Sequence, residues 1–172
     1  DPDIVCVLQA ERRGTGHAVA QAREALSGAG GDTLVLYGDT PFIRPETLDA
    51  MSARRAKGAD IVVLGFEAAD PGRYGRLITD GDALLRIVEF KDANHKERDI
   101  TLCNSGVIMV QTDVLFELVA DLSDDNAARE YYLTDIVRLG RSKGLSAAVV
   151  TCQEAETLGV NSRAELAAAE AA

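Results

Sequence analysis

Short apolar runs alternate with longer amphipathic stretches along the chain, and that alternation sets the predicted elements. Residues 4–8, IVCVL, are apolar throughout and predict a buried strand. The stretch GTGHAVAQAREAL, residues 14–26, predicts a loop entering a helix, with Ala18, Ala22, Ala25 and Leu26 on one face. A second strand is expected at 33–36, and Pro45 suits the first turn of a helix over 45–57. Residues 60–66 read as another buried strand. The alternating stretch 75–90, GRLITDGDALLRIVEF, predicts a hairpin turning at Gly81-Asp82. Further strands are expected at LCNSGVIMVQ, 102–111, and SAAVVT, 146–151. Helices are expected at 113–122, at 131–143 with Tyr132, Ile136 and Leu139 sharing a face, and from Ser162 onward. This order predicts an α/β fold whose sheet is mostly parallel, with a small antiparallel insertion around 75–110.

Composition narrows what such a fold can do. The chain has 172 residues, enough for one domain with a substantial core, and 47% hydrophobic and 27% charged residues are ordinary globular usage. Against 18 Lys and Arg stand 28 Asp and Glu, a net charge of −10, which argues against nucleic acid or an anionic membrane as partner. A small phosphorylated ligand remains compatible, with a metal ion to offset its charge. No apolar run approaches membrane-spanning length. Cys6, Cys103 and Cys152 lie in or beside apolar runs without CxxC spacing, which predicts buried, reduced thiols in a cytoplasmic protein. The opening DPDIVCVLQ has no initiator methionine and runs at once into an apolar segment, as though the chain began partway through a domain.

Five stretches carry candidate chemistry: LQAERRGTGHA (8–18), YGD (37–39), YGR (74–76) with IVEFKD (87–92), CNSG (103–106) followed by EYYLTD (130–135), and GVNSR (159–163). Gly14-Thr15-Gly16 serves either as a simple helix start or as a backbone that approaches a base or phosphate closely. The amide of Gln9 suits a pyrimidine edge, or ends a strand. Asp39, following an apolar strand, is either a turn carboxylate satisfying backbone amides before Pro41 or an oxygen ligand for Mg²⁺. Asn161 could be a second ligand or cap the following helix. Glu89, in RIVEF, faces either solvent or sugar hydroxyls, and Asn104 in a buried strand needs a hydrogen-bond partner. His17 suits a first helical turn better than catalysis, and Lys91 is either solvated or close to a phosphate.

In order and spacing these stretches resemble the uridylyltransferase domain of the bacterial bifunctional N-acetylglucosamine-1-phosphate uridylyltransferase/glucosamine-1-phosphate acetyltransferases, over essentially the whole chain. The resemblance implies a Rossmann-like nucleotide-diphospho-sugar transferase fold. The implied reaction joins UTP and N-acetylglucosamine 1-phosphate into UDP-N-acetylglucosamine and pyrophosphate, for peptidoglycan and lipopolysaccharide precursors. Gln9, Gly14 and Thr15 would hold the uracil end. Asp39 and Asn161 would hold Mg²⁺. Gly75, Glu89, Asn104 and Thr134 would surround the sugar phosphate, with Tyr37, Gly38 and Tyr132 lining the pocket. Full-length members are homotrimers through a hexapeptide-repeat acetyltransferase domain. That domain and the family's G-x-G-T-R-M loop have no counterpart in these residues, so 1–172 is expected to be a partial uridylyltransferase domain, inactive in isolation. The alternatives are another hexose-1-phosphate nucleotidyltransferase and a catalytically silent nucleotide-sugar-binding module.

Overall fold

The computed structural model describes residues 4–160 and 162–170. The elements run α1 (Thr15–Ala20), β1 (Asp32–Val35), α2 (Pro45–Ala56), β2 (Ile61–Glu67), β3 (Arg76–Asp80), β4 (Ala83–Val88), α3 (His95–Arg98), β5 (Leu102–Gln111), α4 (Thr112–Ala120), α5 (Asp135–Ser142), β6 (Ala147–Cys152), a 3₁₀ turn (Glu154–Thr157) and α6 (Arg163–Glu170). Strand order is β1-β5-β2-β6-β4-β3, with a further pairing between β5 and β3.

β2 lies at the centre, and its sequence shows why. Ile61 through Phe66 are all buried, as a strand covered on both faces requires. Its residues alternate between two cores. Ile61 and Val63 join Leu115, Leu118, Ile136 and Val137 of α4 and α5 on one face. On the other face, Val62 and Leu64 join Met51 of α2 and Met109 of β5. The result is three layers, helix–sheet–helix.

The sheet is mixed, not mostly parallel. Among the described pairings only β2–β6 is parallel; β1–β5, β2–β5, β3–β4, β3–β5 and β4–β6 are antiparallel. The 75–110 segment is no peripheral insertion, because β5 is long enough to run between β1 and β2 in the opposite direction. Its far end pairs with β1 from Ile108 to Gln111, while Cys103 near its start pairs with Arg76 of β3. The hairpin turn at Gly81-Asp82 is present, with Asp80 opposite Ala83.

Three other expectations change. Residues 4–8 form no strand and are exposed, Leu8 to 83%, because no described strand offers them a ladder. Cys6 is therefore exposed, while Cys103 is buried and Cys152 is half-buried with its thiol pushed up to about 11 by burial. α1 stops at Ala20 and continues only as single turns such as Gln21 N–H to Ala18 O at 3.2 Å. Helix α5 begins at Asp135 rather than 131, because residues 131–133 bond elsewhere. Tyr131 N–H donates to Arg13 O at 2.8 Å, Gly16 N–H to Tyr131 O at 2.8 Å, and Leu133 N–H to Thr15 Oγ1 at 3.0 Å. No helix among the described residues is long and apolar enough to cross a membrane.

Glu156 of the 3₁₀ turn fastens the end of the sheet to α2. It accepts from Thr47 Oγ1 at 2.6 Å, Arg44 N–H at 3.2 Å and Gln153 N–H at 3.4 Å. Burial raises its pKa, but these hydrogen bonds outweigh burial and leave it below its ordinary value. Its stabilisation is therefore full above the unfolded-state pKa and is lost as pH falls through the folded one. Glu156→Gln should cost about 2 kcal/mol near neutral pH in denaturant unfolding. The gap to wild type should close in acid; a gap of constant size would show that the charge contributes nothing.

Candidate functional site

The strand ends and loops around β5 enclose a cleft of about 400 Å³. Of the residues expected to form a site, Thr15, Tyr37, Asp39, Gly75, Glu89, Asn104, Tyr132 and Thr134 line it. Gln9, Gly14 and Gly38 do not, and Asn161 lies outside the described residues.

The floor is built by a bulge in β5. Val63 pairs with Ile108 and Gly65 with Asn104, so Leu64 alone opposes Ser105, Gly106 and Val107. Ser105 Oγ closes the gap by donating to Leu64 O at 2.8 Å and accepting from Val107 N–H at 3.2 Å. Asn104 Oδ1 accepts from Gly106 N–H at 3.1 Å, and Asn104 N–H donates to Gly75 O at 2.8 Å. The Asn104 side-chain amide nitrogen has no protein acceptor among the described residues and remains available as a donor. Gly106 takes a φ of +90°, and a Cβ there would sit 2.2 Å from the Tyr37 ring. At Gly75 a Cβ would crowd Ile87 at 3.3 Å and Glu89 Oε1 at 3.5 Å, so the missing side chain keeps the space beside Asn104 open.

One wall is Glu89 on the chain leaving β4. Its Oε1 accepts from Thr134 Oγ1 at 2.9 Å. Burial pushes the Glu89 carboxyl up, the Thr134 bond opposes this, and Asp92 and Asp135 push it further up, for a net rise. Tyr132 is pushed up to about 12 by burial and then by Asp92, Glu89 and Glu130. Tyr37 is raised by burial first, then by Glu89 and Asp39, against a hydrogen bond with Thr15. Both phenols therefore stay neutral at physiological pH and serve as hydrogen-bonding groups, not bases.

The opposite wall carries Asp39. Its turn is closed without the side chain: Thr40 N–H and Oγ1 both donate to Tyr37 O, at 3.3 and 3.1 Å. No donor among the described residues reaches the Asp39 carboxylate, so the turn role considered from sequence is not what this residue performs. Its backbone carbonyl accepts from Val160 N–H at 2.7 Å, next in sequence to Asn161. A free carboxylate at the cleft is a hard oxygen donor of the kind Mg²⁺ takes one or two of. Among the described residues no group of three or more His, Cys, Asp or Glu is arranged as a metal cage.

Gln9 and Gly14 have structural employment in the loop before α1. Gln9 Nε2 lies 3.2 Å from Gly14 O and 3.1 Å from His17 Nδ1. At Gly14 the φ is +109° and a Cβ would meet Tyr131 O at 2.7 Å, so only glycine lets loop 13–16 dock on 131–133. Sequence reasoning missed Arg73, Thr40, Glu130 and Thr157, which also line the cleft. Arg73 stands just before the YGR stretch and Glu130 opens EYYLTD, where charged residues look solvated from sequence. Lys91 lines an adjoining cavity with Phe90, Arg73 and Glu130.

Comparison with known proteins adds three findings. The family model for the MobA-like NTP transferase domain matches residues 1–132. The chain is 70% identical over 171 residues to the bifunctional protein GlmU of Dinoroseobacter shibae, covering 99% of this chain and 38% of that protein. It is 65% identical to the bifunctional protein GlmU of Cereibacter sphaeroides, again covering 99% of this chain but 37% of the relative. The chain thus spans well under half the length of the curated relatives it matches. In fold it is similar to a UDP-glucose pyrophosphorylase complexed with UDP-glucose, with TM-score 0.66, 18% identity, and 95% and 65% of the two chains covered. A nucleoside-diphosphate-sugar pyrophosphorylase from Vibrio cholerae gives TM-score 0.67 at 18% identity, with 94% and 66% covered.

The geometry of the cleft generates two expectations. Gly106→Ala should cost about 3 kcal/mol, from the collision with Tyr37 and the left-handed backbone together. Combining it with Tyr37→Ala should return only the collision share; full recovery would show that the backbone conformation is unstrained. Glu89→Gln should stabilise the protein. Its folded pKa lies above the unfolded one, so stability falls as pH rises through that interval and the deficit persists at neutral pH. The variant keeps an acceptor for Thr134 and should melt about 2–4 °C higher near neutral pH. In acid below the ordinary Glu pKa the difference should vanish; a pH-independent difference would mean that the charge is not the cause.

Proposed function

Because the chain belongs to the family of MobA-like NTP transferase domains, we propose that its cleft is the site of uridylyl transfer from UTP to N-acetylglucosamine 1-phosphate. The observation that carries this reading is the convergence, in one cleft, of an unpartnered Asp39 with the Glu89–Thr134 pair and the free Asn104 amide. A phosphate oxygen of the sugar attacks the α-phosphorus of UTP, the bond to the bridging oxygen of the β-phosphate breaks, and pyrophosphate leaves. The attacking oxygen is already anionic, so no general base is needed, and the two neutral tyrosines supply none. The work left to the protein is placement and charge neutralisation.

Glu89 accepts from a sugar donor group, oriented by Thr134, and Asn104 donates to the sugar across the floor that Gly75 leaves open. Tyr132 closes that end. Thr15 with Tyr37 faces the nucleotide, and Gln9, Gly14 and Gly38 shape the loops behind it. Asp39 and Asn161 are the residues that would hold Mg²⁺, which when bound offsets phosphate charge. That fits the acidic lining: among the described residues the cleft carries Asp39, Glu89 and Glu130 against one arginine. UDP-N-acetylglucosamine would then feed cell-wall precursor synthesis in the cytoplasm, with trimer formation left to sequence outside this chain.

Calorimetric titration with UDP-N-acetylglucosamine and Mg²⁺ should show saturable binding to the chain, weaker for the corresponding dTDP-sugar. Absence of binding to either overturns the reading, and preference for the dTDP-sugar would favour another hexose-1-phosphate nucleotidyltransferase. Pyrophosphate release should be undetectable for the 172 residues alone and measurable in a chain extended to its relatives' length. In that extended protein Asp39→Ala should lower turnover about a thousandfold. Near-normal Mg²⁺-dependent turnover would remove Asp39 from the metal.

A further inference from the structure

Arg73 is the one cationic side chain among the described residues lining the main cleft, and it also lines the adjoining cavity with Lys91. In a chain with a surplus of acids most arginines find employment. Arg55 pairs with Asp32, Arg86 with Glu97, Arg138 with Asp135, and Arg13 lies over the Tyr131 ring. Arg73 has no hydrogen bond, ion pair or ring contact among the described residues. Glu89 and Glu130 line the same two cavities, yet neither pairs with it.

Its backbone, by contrast, is held firmly. Arg76 is 1% exposed, and its guanidinium donates to the carbonyls of the residues on either side of Arg73. These are Gly72 O at 3.0 Å and Tyr74 O. Arg76 also donates to Arg98 O at 3.2 Å, and Gly72 N–H donates to Asp70 Oδ1 at 3.0 Å. Tyr74 N–H reaches Pro71 O at 3.1 Å, and the Tyr74 ring stands edge-on to buried Phe66 with centroids 4.9 Å apart. A buried arginine thus spends its donors fixing the peptide units that flank an uncommitted one. A solvated surface arginine needs no such fixing. A guanidinium that must meet an anion in a set place does, because a preorganised fork loses little freedom on binding.

We infer that Arg73 is a further substrate-binding residue, one that grips the phosphate of the acceptor sugar 1-phosphate at the mouth of the cleft. The inference rests on the uridylyltransferase reading and names a contact that reading does not contain. The sugar phosphate is favoured over the nucleotide because Arg73 adjoins Gly75 and shares both cavities with Glu89 and Tyr132, the proposed sugar side. The planar fork matches two phosphate oxygens at once, which an ammonium cannot do.

The test is equilibrium binding to the chain by calorimetry, with N-acetylglucosamine 1-phosphate, unphosphorylated N-acetylglucosamine, and UTP with Mg²⁺ as separate probes. Arg73→Ala should weaken N-acetylglucosamine 1-phosphate about 10- to 100-fold, as expected for loss of a charge-assisted pair. Unphosphorylated N-acetylglucosamine and UTP should bind as they do to wild type. Arg73→Lys should recover part of the loss. The melting temperature of both variants should match wild type, since Arg73 has no partner to lose. Equal binding of the sugar phosphate by Arg73→Ala and wild type overturns the inference, as does an equal loss for UTP. If wild type binds neither UTP nor the sugar phosphate, the uridylyltransferase reading falls and takes this inference with it. If wild type binds both and Arg73→Ala makes no difference, only the inference falls.

Discussion

The bulge in β5 is the constraint on which both the sheet and the cleft depend. β5 must pair with β2 along its length, with β3 at its start and with β1 at its end. A regular ten-residue strand would hold that ladder but would present its alternate side chains flatly to either face. Placing three residues opposite Leu64 breaks the ladder at one point and turns Asn104, Ser105 and Gly106 toward the cleft. The break is mended locally by Ser105 Oγ and Asn104 Oδ1, which take the place of lost ladder bonds. Gly106 then accepts the Tyr37 ring at a distance no other residue allows. The fully buried neighbours Ile108, Val107 and Cys103 keep the bulge from relaxing back into register.

Charge is distributed unevenly between the cleft and the rest of the surface. Glu89 is buried, raised in pKa and repelled by Asp92 and Asp135, while Tyr132 is surrounded by carboxylates. Elsewhere the acids are employed conservatively. Glu97 is held below its ordinary value by its capping bond with Asn94 and by Arg86, and Asp60 is lowered chiefly by the Ser146 backbone. Among the described residues, mutual repulsion of carboxylates thus gathers around Glu89, Asp92 and Asp135 beside the cleft. The sign of the Glu89 shift means that its ionisation costs folding stability at neutral pH.

Sequence reasoning reached the fold unevenly, for identifiable reasons. β5 was legible residue for residue because LCNSGVIMVQ is a long apolar run, and the hairpin was legible from Gly81-Asp82. Strand direction was not, because a buried run has the same composition whichever way it runs, and only the partner decides it. The same limit misplaced residues 4–8 and the start of α5. An apolar run needs a ladder to be a strand, and Tyr131 and Leu133 spend their backbone donors on loop 13–16 before any helix can take them. In the cleft, Glu89, Asn104 and Thr134 were legible from their motifs, whereas Arg73 was not. A lone arginine in a loop looks like any solvated charge until the clamp beneath it is visible.

The walls of the cleft come from segments that share no secondary structure, and this shapes how it can behave. Loop 124–130 is tied to the chain after β4 by Ala127 N–H donating to Asp92 Oδ1 at 3.0 Å, and to itself through Asn126. Loop 13–16 is tied to 131–133 by three hydrogen bonds, and Thr134 to Glu89 by one. Each such bond contributes about 1 kcal/mol, far less than the shared burial that holds β2 and β5 together. The floor is therefore as stable as the core, while the walls can part at much lower cost. A ligand that touches Thr15, Thr134, Glu89 and Arg73 at once would join walls that the protein itself links by only a few hydrogen bonds. Its binding would order the loops against a floor that is already rigid. The cleft thus sets a rigid floor against walls held by fewer interactions.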